Sequence, residues 1–379
     1  MTVYRFDQIA ENINVRVMPN DTDLDRYVGL EHLDPESLKI RRWGSPDDVI
    51  GQKLRFWKGD IVYGRRRAYQ RKLAVPDFDG ICSAHALVLR AKPEVCLPEF
   101  LPFFLQSELF HQRALEISVG SLSPTINWKT LAKQEFPLPP VDEQRRIADL
   151  LWAADEQLQT LKVAVTKHET LFKSFILDEY RSTVSAFPKF KVDKLGEILM
   201  GRQKAPKYYK GINPRQFLKV INIGDLEIDL AELEEMDFSE KEIEKYKLQK
   251  GDILLTEGDL ISRFNVGRPA IYDGEIEDCC FQNTLIRFRC NSKLIPQFAL
   301  ILFEGARLTG NMAQVAKSTT VTHLGVGRFS TLEIPVPPLD VQQKAEKKLQ
   351  EFLKTRNTMR FHHDNSVNLT KKLINQSMS

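Results

Sequence analysis

Two long stretches of the chain repeat hydrophobic residues at alternating spacings of four and three, the heptad pattern of a coiled-coil helix. In the first stretch, residues 147–175, eight of nine seam positions are apolar, and neither Gly nor Pro interrupts it before Pro188. The pattern predicts a helix of about forty residues, roughly 60 Å long, with Asp142 as its N-cap. The seam positions are Ile147, Leu151, Ala154, Leu158, Leu161, Val165, His168, Phe172 and Phe175.

The second stretch has the same entry motif as the first. FPLPPVDEQ at residues 136–144 is matched by IPVPPLDVQ at residues 334–342, and the prolines hold each approach extended. Residues 141–180 carry eight acidic and five basic side chains, whereas residues 341–379 carry three acidic and eight basic ones. Opposite charge favours pairing of the two helices with each other over self-pairing. We expect one intramolecular, antiparallel coiled coil. The second seam, with five apolar positions of nine, is Ala345, Leu349, Phe352, Arg356, Met359, His363, Ser366, Thr370 and Leu373.

The repeat extends through the whole chain, which predicts two tandem copies of one domain in an α+β protein. Lys58-Gly-Asp-Ile61 is matched by Lys250-Gly-Asp-Ile253. Each copy contains short β-branched and aromatic strands separated by Gly, Asp, Asn and Pro turns, followed by a helical segment. We expect a first globular domain at residues 1–140, a central long helix at 141–184, a second globular domain at 185–338 and a distal long helix at 339–379.

Composition indicates a large folded protein and excludes several other classes. The chain has 379 residues, 42% hydrophobic content and a net charge of only +3, so any signal for nucleic-acid binding must be local. There is no N-terminal leader and no apolar run of about 18 residues, so we expect a soluble cytoplasmic protein without membrane contact. Five cysteines without a C-x-x-C motif argue against a disulfide framework and against a zinc site.

The motifs of common enzymes are missing from the sequence. It contains no phosphate loop (G-x-x-x-x-G-K-[ST]), no G-x-G-x-x-G turn, no H-E-x-x-H and no G-x-S-x-G. The Asp/Asn-Pro-Pro-Tyr/Phe motif of amino-methyltransferases is also absent. We therefore predict no catalytic residue, no metal site and no cofactor-binding residue in this chain.

A local basic region is the first signal for a nucleic-acid partner. Residues 38–72 hold eleven Lys and Arg against three acids, interleaved with aromatic residues. Arginine forks suit phosphates and guanine edges, although a solvated basic face would give the same composition. In the second copy, the matching loop is less basic, and another basic and aromatic stretch lies at residues 202–210. The basic and aromatic candidates are Arg65, Arg66, Arg67, Tyr69, Arg71, Lys72, Lys204, Lys207, Tyr208, Lys210, Arg263 and Arg268.

Two further kinds of position recur in both copies. Side chains able to pair with base edges precede an alternating strand in each copy, and they could equally satisfy buried backbone groups. Loops rich in hydroxyl and amide groups precede each proline motif and suit phosphate contacts, or serve as caps and turns. The first kind comprises His85, Gln282 and Asn283, and the second comprises Ser123, Thr125, Asn127, Thr320 and Thr322.

The twice-written proline motif opening a long helix, each time after a domain containing K-G-D-I, resembles the specificity subunit of type I restriction–modification systems. The resemblance covers essentially the whole chain. It implies that each globular domain is a target recognition domain reading one half of a split double-stranded DNA site, with the paired helices setting the spacer. It also implies docking of two methyltransferase subunits, with restriction subunits joining outside. S-adenosylmethionine, ATP and Mg²⁺ would then belong to the partner subunits.

Two other functions remain open at this stage. A protein-interaction scaffold with two globular modules on a coiled-coil tether would share the architecture, and salt-dependent DNA binding would distinguish it. A self-contained DNA methyltransferase or nuclease is disfavoured by the missing motifs, and methylation without added subunits would support it.

Overall fold

The chain divides into two compact units in a computed structural model that describes residues 1–35, 37–205, 211–258, 266–316 and 323–378. Unit 1 consists of residues 1–163 and 360–379, and unit 2 of residues 164–359. Each unit therefore contains one globular part together with portions of both long helices.

The described residues of unit 1 form three sheets and four short helices beside the long ones. Its sheets have the strand orders β1-β10, β2-β9-β6-β7 and β3-β5-β8-β4, all antiparallel except the parallel pair of β4 and β8. The elements are β1 (Thr2–Arg5), α1 (Phe6–Ile9), β2 (Ala10–Asn12), β3 (Arg16–Val17), β4 (Tyr27–Val28), β5 (Lys53–Phe56), β6 (Ile61–Gly64), β7 (Leu73–Ala74), β8 (Gly80–Cys82), β9 (Ala86–Ala91), α2 (Leu101–Gln106), α3 (Glu108–Glu116), α4 (Trp128–Leu131), β10 (Glu135–Leu138) and α5 (Val141–Ala186).

Unit 2 repeats this plan with the orders β11-β19, β12-β18-β15-β16 and β14-β13-β17, in which β13 and β17 are parallel. Its elements are β11 (Lys189–Lys191), β12 (Gly196–Met200), β13 (Pro214–Leu218), β14 (Glu234–Asp237), α6 (Glu240–Tyr246), β15 (Ile253–Thr256), β16 (Pro269–Ile271), β17 (Cys280–Phe281), β18 (Leu285–Cys290), α7 (Pro296–Leu308), α8 (Asn311–Val315), α9 (Val326–Phe329), β19 (Glu333–Pro335) and α10 (Leu339–Ser377).

The K-G-D-I motif marks the same ion pair, with a buried aspartate, in both units. Asp60 is 2% exposed and accepts hydrogen bonds from Arg90 at 2.7 and 3.1 Å. Asp252 is 1% exposed and accepts from Arg289 at 2.7 and 2.8 Å. The glycine before each aspartate has a φ of +87° or +93°, a left-handed conformation that favours glycine. The repeated sequence thus encodes the same turn in both units, and its aspartate binds an arginine on the neighbouring strand, β9 in unit 1 and β18 in unit 2.

The two long helices begin at the proline motif, as the sequence predicts. The first spans Val141–Ala186 and the second Leu339–Ser377. Asp142 was expected as the N-cap, but it lies inside the first turn, because the carbonyl of Pro140 already accepts the N–H of Gln144 at 2.9 Å. The carboxylate still lies at the positive end of the helix dipole.

The long helices pack antiparallel, and the predicted seams are buried or half-buried at every position. In unit 1, Leu151 near the start of α5 belongs to the same core as Ile374 near the end of α10. In unit 2 the order is reversed: Phe172 and Phe175 in the second half of α5 stack on Phe352 in the first half of α10. These contacts confirm an α+β fold with two tandem domains and an antiparallel coiled coil.

Arg356 explains the polar break in the second seam. This residue is 1% exposed, and its guanidinium lies 2.5 Å from Glu227 and donates to the carbonyl of Asp225 at 3.0 Å. Its charged group also lies 5.4 Å from the ring centre of Phe172. The arginine therefore binds the long helix to a loop of the globular part of unit 2. An apolar seam residue could form neither the ion pair nor the hydrogen bond.

A buried glutamine in each proline motif fastens the long helix to its own globular part. Gln144 accepts the N–H of Leu97 at 2.9 Å and donates to the carbonyls of Val95 at 2.8 Å and Pro139 at 2.9 Å. Gln342 makes the same three hydrogen bonds, to the N–H of Ile295 and to the carbonyls of Lys293 and Pro337. Both side chains are at most 1% exposed.

No helix in the described part of the chain is both long enough and apolar enough to cross a membrane.

Candidate nucleic-acid interface

The arginine loop of unit 1 pairs with the hydroxyl-rich loop that the sequence places sixty residues later. Arg65 to Arg67 follow directly after β6, and the carbonyl of Arg65 accepts the N–H of Ile126 at 3.0 Å. The N–H of Arg67 donates to the carbonyl of Pro124 at 2.7 Å. Two separate groups of predicted residues are therefore one structural feature, here called the arginine platform (residues 65–67 and 123–126).

Ser123 holds the two exposed arginines of the platform. The Nε atoms of Arg66 and Arg67 each donate to Ser123 Oγ at 3.4 Å, while both residues are exposed to solvent. Arg67 has a φ of +57°, a conformation that is uncommon for a residue with a side chain. Thr125 Oγ1 donates to the carbonyl of Ser123 at 3.0 Å and so stabilises the loop from below. The platform therefore presents two exposed guanidinium groups that share one long hydroxyl contact.

His85 lies within the electrostatic field of the platform. Desolvation lowers its pKa, and the positive charges of Arg66 and Arg65 lower it further. The imidazole is therefore held in its neutral form over a wider pH range than an isolated histidine. A neutral ring has one hydrogen-bond donor and one acceptor, the set needed for a base edge.

Other predicted residues of unit 1 are engaged inside the unit. Arg71 forms an ion pair with Glu108 at 2.6 Å, and Lys72 Nζ donates to the carbonyl of Leu30 at 2.8 Å. Tyr69 is 52% exposed beside them. Asn127 caps α4 through its backbone carbonyl, which accepts the N–H of Leu131 at 3.0 Å.

Unit 2 has the same loop pairing but the opposite charge. The carbonyl of Glu257 accepts the N–H of Leu324 at 2.7 Å, as Arg65 does from Ile126. The carboxylate of Glu257 lies 2.7 Å from Nδ1 of His323. An acidic side chain thus stands where unit 1 has an arginine, which agrees with the sequence expectation of a less basic loop.

Three further candidates in unit 2, Lys204, Gln282 and Asn283, make contacts within the unit. Lys204 and Lys219 both form ion pairs with Glu234, and these hydrogen bonds lower the pKa of that carboxyl group. The N–H of Gln282 donates to the carbonyl of Leu218 at 2.9 Å, and that of Asn283 to the carbonyl of Arg202 at 3.0 Å. Both amide side chains are half-buried.

Arg268 is also half-buried, and its Nε has no hydrogen-bond partner among the residues that the structure describes. Six other candidates lie outside the described residues: Lys207, Tyr208, Lys210, Arg263, Thr320 and Thr322.

The structure also places a set of polar residues next to the platform that sequence reasoning missed. A recess of about 140 Å³ opens beside Arg65 and is walled by the β2–β3 connection, the start of β5, the start of β9 and Trp128. No motif distinguishes these residues in the sequence, since isolated amides in loops are common. The recess is lined by Asn12, Asn14, Arg16, Gln52, Lys53, Leu54, Arg65, Ala84, Ala86, Leu87 and Trp128.

Known proteins with the same sequence pattern and fold identify the family. A family model described as the type I restriction modification DNA specificity domain matches residues 50–166 and 187–368, well over half of the chain. The specificity subunit of type I restriction enzyme EcoKI from Escherichia coli K12 is 21% identical over 365 residues, covering 91% of this chain and 76% of that protein. The EcoDI specificity subunit of Escherichia coli is 27% identical over 188 residues, 48% of this chain and only 42% of that relative.

Solved structures show the same fold. The S subunit of a type I restriction–modification system from M. genitalium has a TM-score of 0.62 at 13% identity, with 100% of this chain and 96% of that chain covered. A second structure, described as the basis of complex assembly and conformational transition of the type I R-M system, has a TM-score of 0.62 at 19% identity, with 100% and 97% covered. The chain therefore belongs to the family of type I restriction–modification DNA specificity subunits, the non-catalytic components of these systems.

Proposed function

We propose that this chain gives a type I restriction–modification complex its DNA target by binding a bipartite double-stranded site, one half-site per globular part. The observation that carries the proposal is the arginine platform, in which the exposed Arg66 and Arg67 both contact Ser123 Oγ and the charges of Arg66 and Arg65 act on His85. Guanidinium groups suit phosphates and guanine edges, and both arginines lie within reach of the same hydroxyl. Unit 2 keeps the loop pairing but replaces Arg65 by Glu257. Two modules that share a frame and differ in their exposed groups suit an asymmetric target.

The remaining elements of the proposal concern the partners. The paired long helices set the spacer between the half-sites and dock two methyltransferase subunits, with restriction subunits joining that complex. S-adenosylmethionine, ATP and Mg²⁺ bind those partners, and this chain holds none of them. In support, exposed apolar side chains occur along both long helices, which is typical of surfaces that bind other proteins. They include Leu150, Val163, Leu171, Phe361 and Leu369.

The test is the double variant Arg66→Ala with Arg67→Ala, in the full chain co-expressed with its methyltransferase partners. If each arginine neutralises one phosphate, the slope of log K against log salt falls by about 2, because each phosphate contact contributes roughly 0.9. Affinity falls for every DNA sequence that retains the second half-site. A matched control is Arg113→Ala, since Arg113 is already ion-paired to Glu116 at 3.1 Å and should leave the slope unchanged. An unchanged slope in the double variant would remove the platform from the DNA interface.

A further inference from the structure

The recess beside the platform has the chemistry of a base-reading site. Its polar walls carry three amides and three basic groups, and its apolar walls are formed by alanine, leucine and tryptophan side chains. Amide side chains of Asn and Gln can pair with both N6 and N7 of adenine in the major groove. The recess is concave and opens on the loop that also bears the exposed arginines.

Hydrogen bonding within the recess leaves donor capacity unused. Arg65 Nε is buried and has no hydrogen-bond partner within the described part of the chain. Arg16 Nη1 makes a long contact of 3.4 Å to Gln52 Oε1, and Lys53 Nζ donates to the carbonyls of Ile50 and Gly51. A buried donor without a partner is costly, and an acceptor on a bound ligand would satisfy it. The base edges and phosphates of DNA supply such acceptors.

Comparison of the two units shows that residues lining the recess of unit 1 have different counterparts among the described residues of unit 2. Asn12 pairs with Leu89 in the strand ladder, and Ile198 occupies the equivalent place opposite Phe288. Two residues further on, Asn14 is matched by Met200.

The hydrophobic counterparts Ile198 and Met200 pack against the core of unit 2. Arg65 likewise has Glu257 as its counterpart in the loop pairing. The Asp–Arg pair and the glutamine of the proline motif are retained, so the frame is shared while the lining of the recess differs. A protein-interaction scaffold would not require different residues at these positions, whereas two modules that read different half-sites would require them.

We propose that the recess of unit 1 reads an adenine-bearing base pair of one half-site, with Asn14 and Gln52 contacting the base edge and Arg65 contacting an adjacent acceptor of the same site. This inference rests on the proposed function and assigns the specificity-determining residues within it. Asn14 and Gln52 are the exposed amides of the recess, while Asn12 is half-buried behind them. The exposed pair is therefore able to reach a duplex.

The experiment is selection of a random first half-site, with the second half-site fixed, by the full complex carrying wild-type chain, Asn14→Met or Asn14→Asp. Methionine is the residue that unit 2 has at this position, so the strand frame tolerates it. Asn14→Met should reduce discrimination at one base pair by about 5- to 150-fold, the range of a bidentate base contact. Asn14→Asp, which only accepts hydrogen bonds, should shift that base pair from A·T towards C·G. Gln52→Leu should act on the same or the adjacent base pair.

The outcomes separate the inference from the function on which it rests. Retained preference for the second half-site shows that each variant is folded and assembled. An unchanged first half-site in the Asn14 and Gln52 variants overturns the recess proposal and leaves the proposed function standing. A wild-type complex that selects no sequence at all overturns both.

Discussion

The buried glutamine of the first proline motif is the contact whose removal we expect to weaken unit 1 most clearly. Gln144 is 1% exposed and makes hydrogen bonds to Leu97, Val95 and Pro139. These bonds join the start of the long helix α5 to the segment that leads into α2. Gln144→Ala removes all three and leaves one backbone N–H and two carbonyls without this partner.

The expected loss follows from the three bonds. A hydrogen bond contributes about 1 kcal/mol net, so the free energy of unfolding should fall by about 3 kcal/mol, and by more if water does not reach the backbone groups. With a urea m-value of about 2 kcal/mol per molar for a unit of this size, the midpoint should shift by about 1.5 M. Gln144→Glu keeps the volume and the acceptor for the Leu97 N–H but places one carboxylate oxygen against two carbonyls, so it should cost at least as much at neutral pH.

Tryptophan fluorescence makes the assay specific for unit 1, because all four tryptophans lie in it. Trp152 on α5 donates its indole N–H to the carbonyl of Glu99 at 2.9 Å and so reports directly on the attachment of the helix. The control is Gln157→Ala, an exposed glutamine of the same helix that should leave the midpoint within about 0.3 M. A midpoint for Gln144→Ala equal to that of the control would refute the reasoning. The four tryptophans are Trp43, Trp57, Trp128 and Trp152.

Two further predictions concern the spacer and the platform. Inserting seven residues after Val163 and seven after Met359 keeps both seams in register and lengthens the helix pair by about 10 Å. The spacer in the recognised DNA site should therefore grow by about three base pairs. A spacer of unchanged length would show that the helices do not set it. For His85, an NMR titration should give a pKa below that of a free histidine, and Arg66→Ala should raise it by removing a nearby positive charge. Because the folded chain binds this proton less readily than the unfolded chain, the stability contributed by His85 is lost as the pH falls below about 6.5.

The sequence predicts those parts of the fold that rest on a regular period. The seams of α5 and α10 follow the heptad pattern because burial on one helix face is a local property, and the repeated motifs recur because each unit uses the same turn and strand pair. Opposite net charge predicts that the two helices pair with each other, and Phe172 and Phe175 pack on Phe352. The period of each seam and the position of each motif need no knowledge of distant partners.

Partners that are distant in sequence account for what the sequence did not predict. Arg356 was counted as a weak seam position, yet its charge is paired with Glu227, which lies on another part of the fold. Arg71 is ion-paired to Glu108 in a way that composition does not indicate. The amides of the recess were missed because Asn12 and Gln52 lie far apart in sequence and line one recess only in the folded chain.

The assignment of individual residues to DNA contacts stays a prediction. The arginine and hydroxyl loops of unit 1 were singled out separately, and their pairing at Arg65 and Ile126 brings them together without testing what they bind. The resemblance to the specificity-subunit family, by contrast, is confirmed by the family model and by relatives along most of the chain.

The most direct test of the central claim is long-read methylation mapping of genomic DNA in a host with and without this chain, with the methyltransferase partners expressed in both. We predict the loss of one split motif, two short specified blocks flanking an unspecified gap, when the chain is removed. Identical methylation patterns in the two hosts would contradict the account.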